Sequence, residues 1–294
     1  MARVEFGARV ARIIGAAALA LTLTACETVE SLNPMNMFTD KGPKSDIGPD
    51  QPAEVLFNDG LARLEKKQYD GAAKKFSELD KQYPYSSWSR KALILTTFSH
   101  YESGEYDDAI ASGRRFVQLY PSDNDAAYAQ YLVGMSYYNQ IPDVTRDQER
   151  TERALLALDE VSRKWPRSEY ASDAKQRVTV ARDQLAGKEM DVGRYYLKQR
   201  NYTGAVNRFR EVLVRYQTTR HVEEALMRIA EAYMALGIVA EAQTAAAVLG
   251  HNFPESPWYK DAYTLLQSGG TEPREAQGSW ISKQFRGFTR SAGL

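Results

Sequence analysis

The side chains best suited to catalysis in this 294-residue chain are three histidines, one cysteine and 38 carboxylates, and their spacing gives none of them a catalytic partner. His100, His221 and His251 lie far apart, so no two imidazoles share a helical turn, as a zinc site built on one helix requires. The chain contains no His-Glu-x-x-His, no Gly-x-Ser-x-Gly and no glycine-rich phosphate loop ending in Gly-Lys. The carboxylates recur at helical spacing, where a solvated helix face accounts for them. The sequence predicts no enzyme, no metal and no cofactor. Lys+Arg and Asp+Glu are both 38, which gives no bulk attraction to nucleic acid.

The single thiol points to a different chemistry. Arg3, Arg9 and Arg12 open the chain, Ile13 to Leu23 form a short apolar run, and Leu23-Thr24-Ala25-Cys26 closes it with small residues. This is similar to a lipobox, at which bacterial lipoproteins are cleaved and acylated on cysteine. Residues 1–25 are therefore expected to be a lipoprotein signal peptide and Cys26 the lipidation site, since several acyl chains anchor a protein firmly. Glu27, where enteric bacteria use Asp for inner-membrane retention, predicts by analogy transfer to the outer membrane. A lone thiol forms no internal disulfide, so the fold must rest on packing. Pro34, Pro43, Pro49 and Pro52 mark residues 26–52 as a flexible tether. No run of eighteen apolar residues occurs, so no membrane-spanning helix is expected.

The elements behind these residues show themselves as a repeat. Tyr83-Pro84, Tyr120-Pro121, Trp165-Pro166, Tyr216-Gln217 and Phe253-Pro254 each end a helical pattern, and Ala72, Ala109, Ala154, Ala205 and Ala242 stand twelve residues before the second member of each pair. Gly60, Gly134, Gly193 and Ala230 supply an earlier small residue in four of the five units. Small residues where two helices cross, then a proline that stops the second, form the skeleton of a tetratricopeptide (TPR) repeat. The expected fold is all-α: a solenoid of five TPR-like helix-turn-helix repeats with a C-terminal capping helix, Trp258 to Leu266. Residues 53–167 would hold repeats one to three and residues 168–267 repeats four, five and the cap. Gly134 and Ala154 are 20 apart rather than 12, which places an insertion at Ile141 to Asp147. Ser86, Ser122 and Ser168 are expected to cap the helices that follow them. Residues 268–294 read either as a disordered tail or as a short amphipathic helix with Trp280, Ile281, Phe285 and Phe288 beside Lys283, Arg286 and Arg290.

With catalysis set aside, surface remains. The first helices of a TPR stack line its inner face, and register alignment puts Phe57, Leu61, Leu64, Ile94, Phe98, Tyr101, Tyr128, Tyr131 and Tyr138 there. Such an aromatic, nearly uncharged groove suits an extended segment rich in aromatic and aliphatic side chains. Burial of some of these residues between helices is the competing account.

Strings more specific than the repeat carry a resemblance. They are Tyr83-Pro84-Tyr85-Ser86 leading to Trp88, Ala126-Ala127-Tyr128-Ala129-Gln130-Tyr131, and Gln140-Ile141-Pro142-Asp143 with Arg146-Asp147-Gln148. Gly193-Arg194-Tyr195-Tyr196 and Asn201-Tyr202 before Ala205-Val206-Asn207-Arg208 extend them. From Cys26 to about Leu266 the chain resembles the BamD (ComL) family, lipoproteins of the outer-membrane β-barrel assembly machine. The resemblance implies a lipid-anchored scaffold on the periplasmic face of the outer membrane, with no catalytic activity. It implies that the C-terminal repeats bind the last POTRA domain of BamA, with Arg194, Asn207 and Arg208 as candidate contacts, and that lipoproteins such as BamE lie nearby. It also implies that the N-terminal repeats receive the aromatic-ending targeting segments of unfolded barrel proteins. The alternative is a TPR lipoprotein adaptor for peptidoglycan synthases or hydrolases. Under either reading Cys26→Ser should yield a soluble periplasmic protein with unchanged helical circular dichroism; retention of the variant on outer membranes in high salt without BamA would show that lipid is not the anchor.

Overall fold

The twelve-residue offset spans one helix, from its first turn to the aromatic that ends it. The structure is a computed structural model that describes residues 51–291; Cys26 and the tether before residue 51 lie outside this range. Twelve helices and no strand occur among these residues, and no helix is long and apolar enough to cross a membrane. They are α1 (Ala53–Glu65), α2 (Tyr69–Gln82), α3 (Ser87–Ser103), α4 (Tyr106–Leu119), α5 (Ala126–Tyr138), α6 (Glu149–Lys164), α7 (Tyr170–Lys198), α8 (Tyr202–Arg215), α9 (Val222–Ala235), α10 (Val239–Asn252), α11 (Pro257–Ser268) and α12 (Trp280–Ser291). From α1 to α11 each helix packs on its chain neighbours, and first helices also touch along the stack (α1 with α3, α3 with α5, α5 with α7). This is the expected solenoid: α1 to α10 make five pairs, and α11 caps the last one.

The small residues have an identifiable steric task. A Cβ built on Gly60 would lie 2.5 Å from Phe76 Cε1, on Gly134 2.6 Å from Leu158 Cδ2, and on Gly193 2.4 Å from Phe209 Cε1. In each pair the large side chain stands four residues after the repeat's alanine and is fully buried. Repeat two reverses the roles: Thr97 takes the glycine's place, Gly113 replaces the large residue, and a Cβ there would lie 3.1 Å from Thr97 Cγ2. Repeat five balances Ala230 against Ala246, both buried.

Helix ends follow the aromatic more than the proline. Tyr83, Tyr120, Trp165, Tyr216 and Phe253 all sit at helix C-caps, with φ of −130°, −129°, −126°, −127° and −138°. Tyr216 ends α8 in the same geometry although Gln217 follows it, because its ring is anchored in the core. The turn inside a repeat needs a left-handed residue five positions before the alanine. Gly104 (φ 81°) and Gly237 (φ 73°) provide it without strain, whereas Lys67 and Arg200 (both φ 56°) adopt it at a cost of about 1 kcal/mol.

Of the expected caps, Ser86 accepts a hydrogen bond from the Ser89 amide (3.1 Å). Ser122 and Ser168 do not act so: α5 and α7 begin after Asp125 and Glu169 without a side-chain cap, and the Ser168 hydroxyl is buried without a hydrogen bond. The insertion of repeat three is tied down by the long α7. Gln184 Nε2 donates to the Pro142 carbonyl (3.1 Å) and Lys188 Nζ to that of Thr145 (2.9 Å). The tail forms a helix, with Ile281 and Phe285 buried against the last repeat.

Gly193→Ala should force the Phe209 ring aside and cost about 1–3 kcal/mol in urea unfolding. Gly193→Ala combined with Phe209→Leu should lose less than the sum of the two single changes. An unchanged midpoint for Gly193→Ala would remove the crossing from this position.

Candidate interaction surface

On the inner face the rings gather around α5 and the start of α7. Tyr170 lies between Tyr128 and Tyr131, with ring centres at 5.0 and 5.1 Å and interplanar angles of 30° and 29°. The Tyr131 hydroxyl donates to Asp173 (2.5 Å), and Arg177 Nε donates to the same carboxylate (2.6 Å). The Arg177 guanidinium also covers the Tyr138 ring at 5.0 Å. Toward repeat two, Asn139 Nδ2 donates to the Tyr101 hydroxyl (3.1 Å), Tyr101 packs on Tyr106 (6.0 Å), and Tyr69 meets Phe98 edge-on (6.3 Å).

Seven of the nine candidate groove residues, Leu61, Leu64, Phe98, Tyr101, Tyr128, Tyr131 and Tyr138, are half-buried at this face. Phe57 and Ile94 are not groove residues: each is 7% exposed and belongs to the core. Both stand three residues before the small crossing residue, as Tyr131 does, and that position faces the next repeat. Trp88 covers Phe57 at 4.8 Å, and Ala126 and Ala129 pack against Ile94, whereas the Tyr131 hydroxyl reaches past Tyr170. Register alignment alone could not separate these cases. Tyr170, Asp173 and Arg177 were missed, although their i, i+3, i+7 spacing marks one face of α7.

Electrostatically the face is neutral where the rings are. Burial, then the Tyr170 phenol, pushes the Tyr128 hydroxyl well above its ordinary pKa. Burial followed by Asp173 raises Tyr131 to about 12, and burial followed by Glu169 raises Tyr170 to about 12. Burial also works against the Asp173 charge, but hydrogen bonds from Tyr131 and Arg177 outweigh it and hold its pKa below the usual range. The cluster therefore offers ring faces, protonated hydroxyls and one compensated ion pair. Ring faces of this kind can take apolar and aromatic groups, and phenols held protonated are poor proton acceptors.

Among the described residues one trio brings potential metal ligands together: His100, Glu105 and Asp108, with ligand atoms within 4.8 Å. They flank the turn between α3 and α4, so no single helical turn contains them. His100 Nδ1 is already held at 2.6 Å by Glu105, and both carboxylates are exposed.

The second candidate patch divides. Asn207 and Arg208 lie together on α8 in an open polar recess with Glu189, Glu211 and Arg215, where Arg208 pairs with Glu189 (3.3 Å). Arg194 is turned toward α9, where Glu224 takes its guanidinium at 3.1 Å.

Residues 49–249 match the YfiO family, described as outer membrane lipoprotein. This chain belongs to that family. It is 45% identical over 224 residues to the outer membrane protein assembly factor BamD of Caulobacter vibrioides, covering 76% of this chain and 73% of the relative. It is 41% identical over 217 residues to BamD of Rickettsia prowazekii, with 74% and 86% covered, and 32% identical over 262 residues to that of Neisseria meningitidis serogroup A, with 86% and 95% covered. The match to the YfiO family spans every half-buried ring of the inner face and ends inside α10, so α11 and α12 lie beyond it.

The raised tyrosines give this YfiO-family chain an alkaline limit. The unfolded state releases these protons near the ordinary pKa of 10.0, the folded state only near 12. Their contribution is intact below pH 10 and is lost as pH rises toward 12. Urea midpoints should fall across that window, and less steeply in Tyr131→Phe/Tyr170→Phe; equal slopes would mean that the cluster is not what titrates.

Proposed function

We propose that this chain is a lipid-anchored scaffold, on the periplasmic face of the outer membrane, for the assembly of outer membrane proteins. The half-buried ring cluster on the first helices, in a family whose relatives are named as BamD assembly factors, is the observation that carries this reading. Residues 53–167 receive an extended segment of an unfolded barrel protein. Alternate side chains of such a strand fall on one side, so two or three aromatic or aliphatic groups can meet Phe98, Tyr101, Tyr128 and Tyr131. Affinity then comes from apolar burial, about 25 cal/mol per Å2, and changes little with salt. Residues 168–267 bind the last POTRA domain of BamA, with Asn207 and Arg208 at the contact and BamE nearby. No part of this activity is catalytic.

A crossed binding experiment tests both halves. Phe98→Ala/Tyr131→Ala should weaken binding of a peptide from the C-terminal strand of a barrel protein, read by fluorescence anisotropy against a scrambled control, and should leave capture of BamA intact. Arg208→Glu should do the reverse, and Arg208→Glu/Glu189→Arg, which restores the internal pair, should not recover capture. Undiminished peptide binding by the ring variant, or loss of wild-type binding in high salt, would assign the rings to structure alone. Undiminished BamA capture by Arg208→Glu would make that arginine an ordinary solvated charge.

A further inference from the structure

The outer face carries a repeat position that the chain covers once with α12 and once only with arginine side chains, under which Tyr137 is 2% exposed. At the filled copy, the first turn of α12 lies where α8, α9 and α10 meet. Trp280 Nε1 donates to the Tyr233 hydroxyl (3.0 Å), the Arg210 guanidinium lies 4.8 Å from the Trp280 ring centre, and the Ser279 hydroxyl donates to Glu241 (2.6 Å). Ile281 and Phe285 continue the buried face of the helix.

The three residues that hold α12 occupy fixed repeat positions. Arg210 stands five after the alanine of repeat four, Tyr233 three after the small residue of the next first helix, and Glu241 one before the alanine of repeat five. Two repeats earlier these positions are Arg114, Tyr137 and Arg153. The guanidiniums of Arg114 and Arg153 lie 5.6 and 6.0 Å from the Tyr137 ring centre. From there a groove runs between α4 and α6 over Val117, Val133 and Ala157. Its wall residue Leu156 is 66% exposed, whereas Thr244, at the same repeat position in the filled copy, is 0% exposed.

The copies differ in charge. Arg153 replaces Glu241, and Arg150 brings a third guanidinium to 5.7 Å from the Tyr137 ring. Asp107 pairs with Arg150 and Glu149 with Arg153, so two carboxylates face three arginines. Glu160 lines the groove farther along α6. We infer that the α4–α6 groove docks a short amphipathic helix of a partner protein, laid as α12 is laid on α10. That helix carries aromatic and aliphatic residues on one face and a carboxylate at its first turn, opposite Arg114 and Arg153. The site lies on the outer face and is separate from the inner-face rings and from Arg208.

The test uses the full chain and a fluorescein-labelled synthetic peptide of residues 277–291 carrying Ser279→Glu, with the unaltered peptide beside it. Anisotropy should show saturable binding of the Ser279→Glu peptide, about tenfold tighter than the unaltered one. Leu156→Asp, a change at an exposed position, should weaken it at least as much. Arg114→Glu/Arg153→Glu should abolish the preference for the glutamate. Absence of saturable binding would overturn the inference. So would binding indifferent to Leu156→Asp, which would place the peptide on α10 by exchange with α12, and so would dimers formed by exchange of α12 between copies.

Discussion

Two helices can lie closely side by side only if the volume at their crossing is shared unequally or kept small on both sides. Gly60 against Phe76, Gly134 against Leu158 and Gly193 against Phe209 are the unequal solution. Thr97 against Gly113 is its mirror, and Ala230 against Ala246 the small one. Interiors are packed to crystal density, so an added methylene at such a point must displace a ring. Because the crossing recurs, first helices stack on first helices, and whatever residues they turn away from their partners collect on one face. The ring cluster is a consequence of that geometry.

The stack also sorts charge. Among the described residues Asp80, 7% exposed, is the charged side chain drawn into the core, and it clamps the first two repeats together: Ser89 donates to it at 2.5 Å, and Arg115 of α4 pairs with it. A buried carboxylate needs both partners, since an unpaired one would bear the full cost of desolvation. Where acids and bases pair on exposed helix faces, as Arg153 with Glu149 and Arg215 with Glu211 do, each pair contributes little to stability. The inner face keeps protonated phenols, so its rings add no net charge to it.

A solenoid ends in an apolar surface that the next repeat would have covered. Here α11 closes the stack, and α12 folds back to bury Thr244 and Val248, whose repeat equivalents on α8, Asn207 and Glu211, remain accessible. The tail thereby covers the outer face of the last repeat. The insertion of repeat three is held to α7 through its backbone carbonyls, which ties the third repeat to the first helix of the fourth.

The all-α class, the five repeats and the position of the insertion were legible in the residues, because twelve-residue offsets between small residues and helix stops are local facts of chain geometry. Asn207 and Arg208 are neighbours on one helix in the sequence as in the structure, but the recess they share with Glu189 of α7 is a product of packing. Tertiary structure alone decided the rest. Phe57, Ile94 and Tyr131 share one register, and only the residue arriving from the next repeat (Trp88, Ala126 or Tyr170) determines whether the ring is sealed or reaches the surface. Likewise the tail had the pattern of an amphipathic helix and equally that of a disordered segment. Its fate turned on the slot formed by Arg210, Tyr233 and Glu241, three residues that no sequence spacing brings together and only the packing of α8, α9 and α10 does.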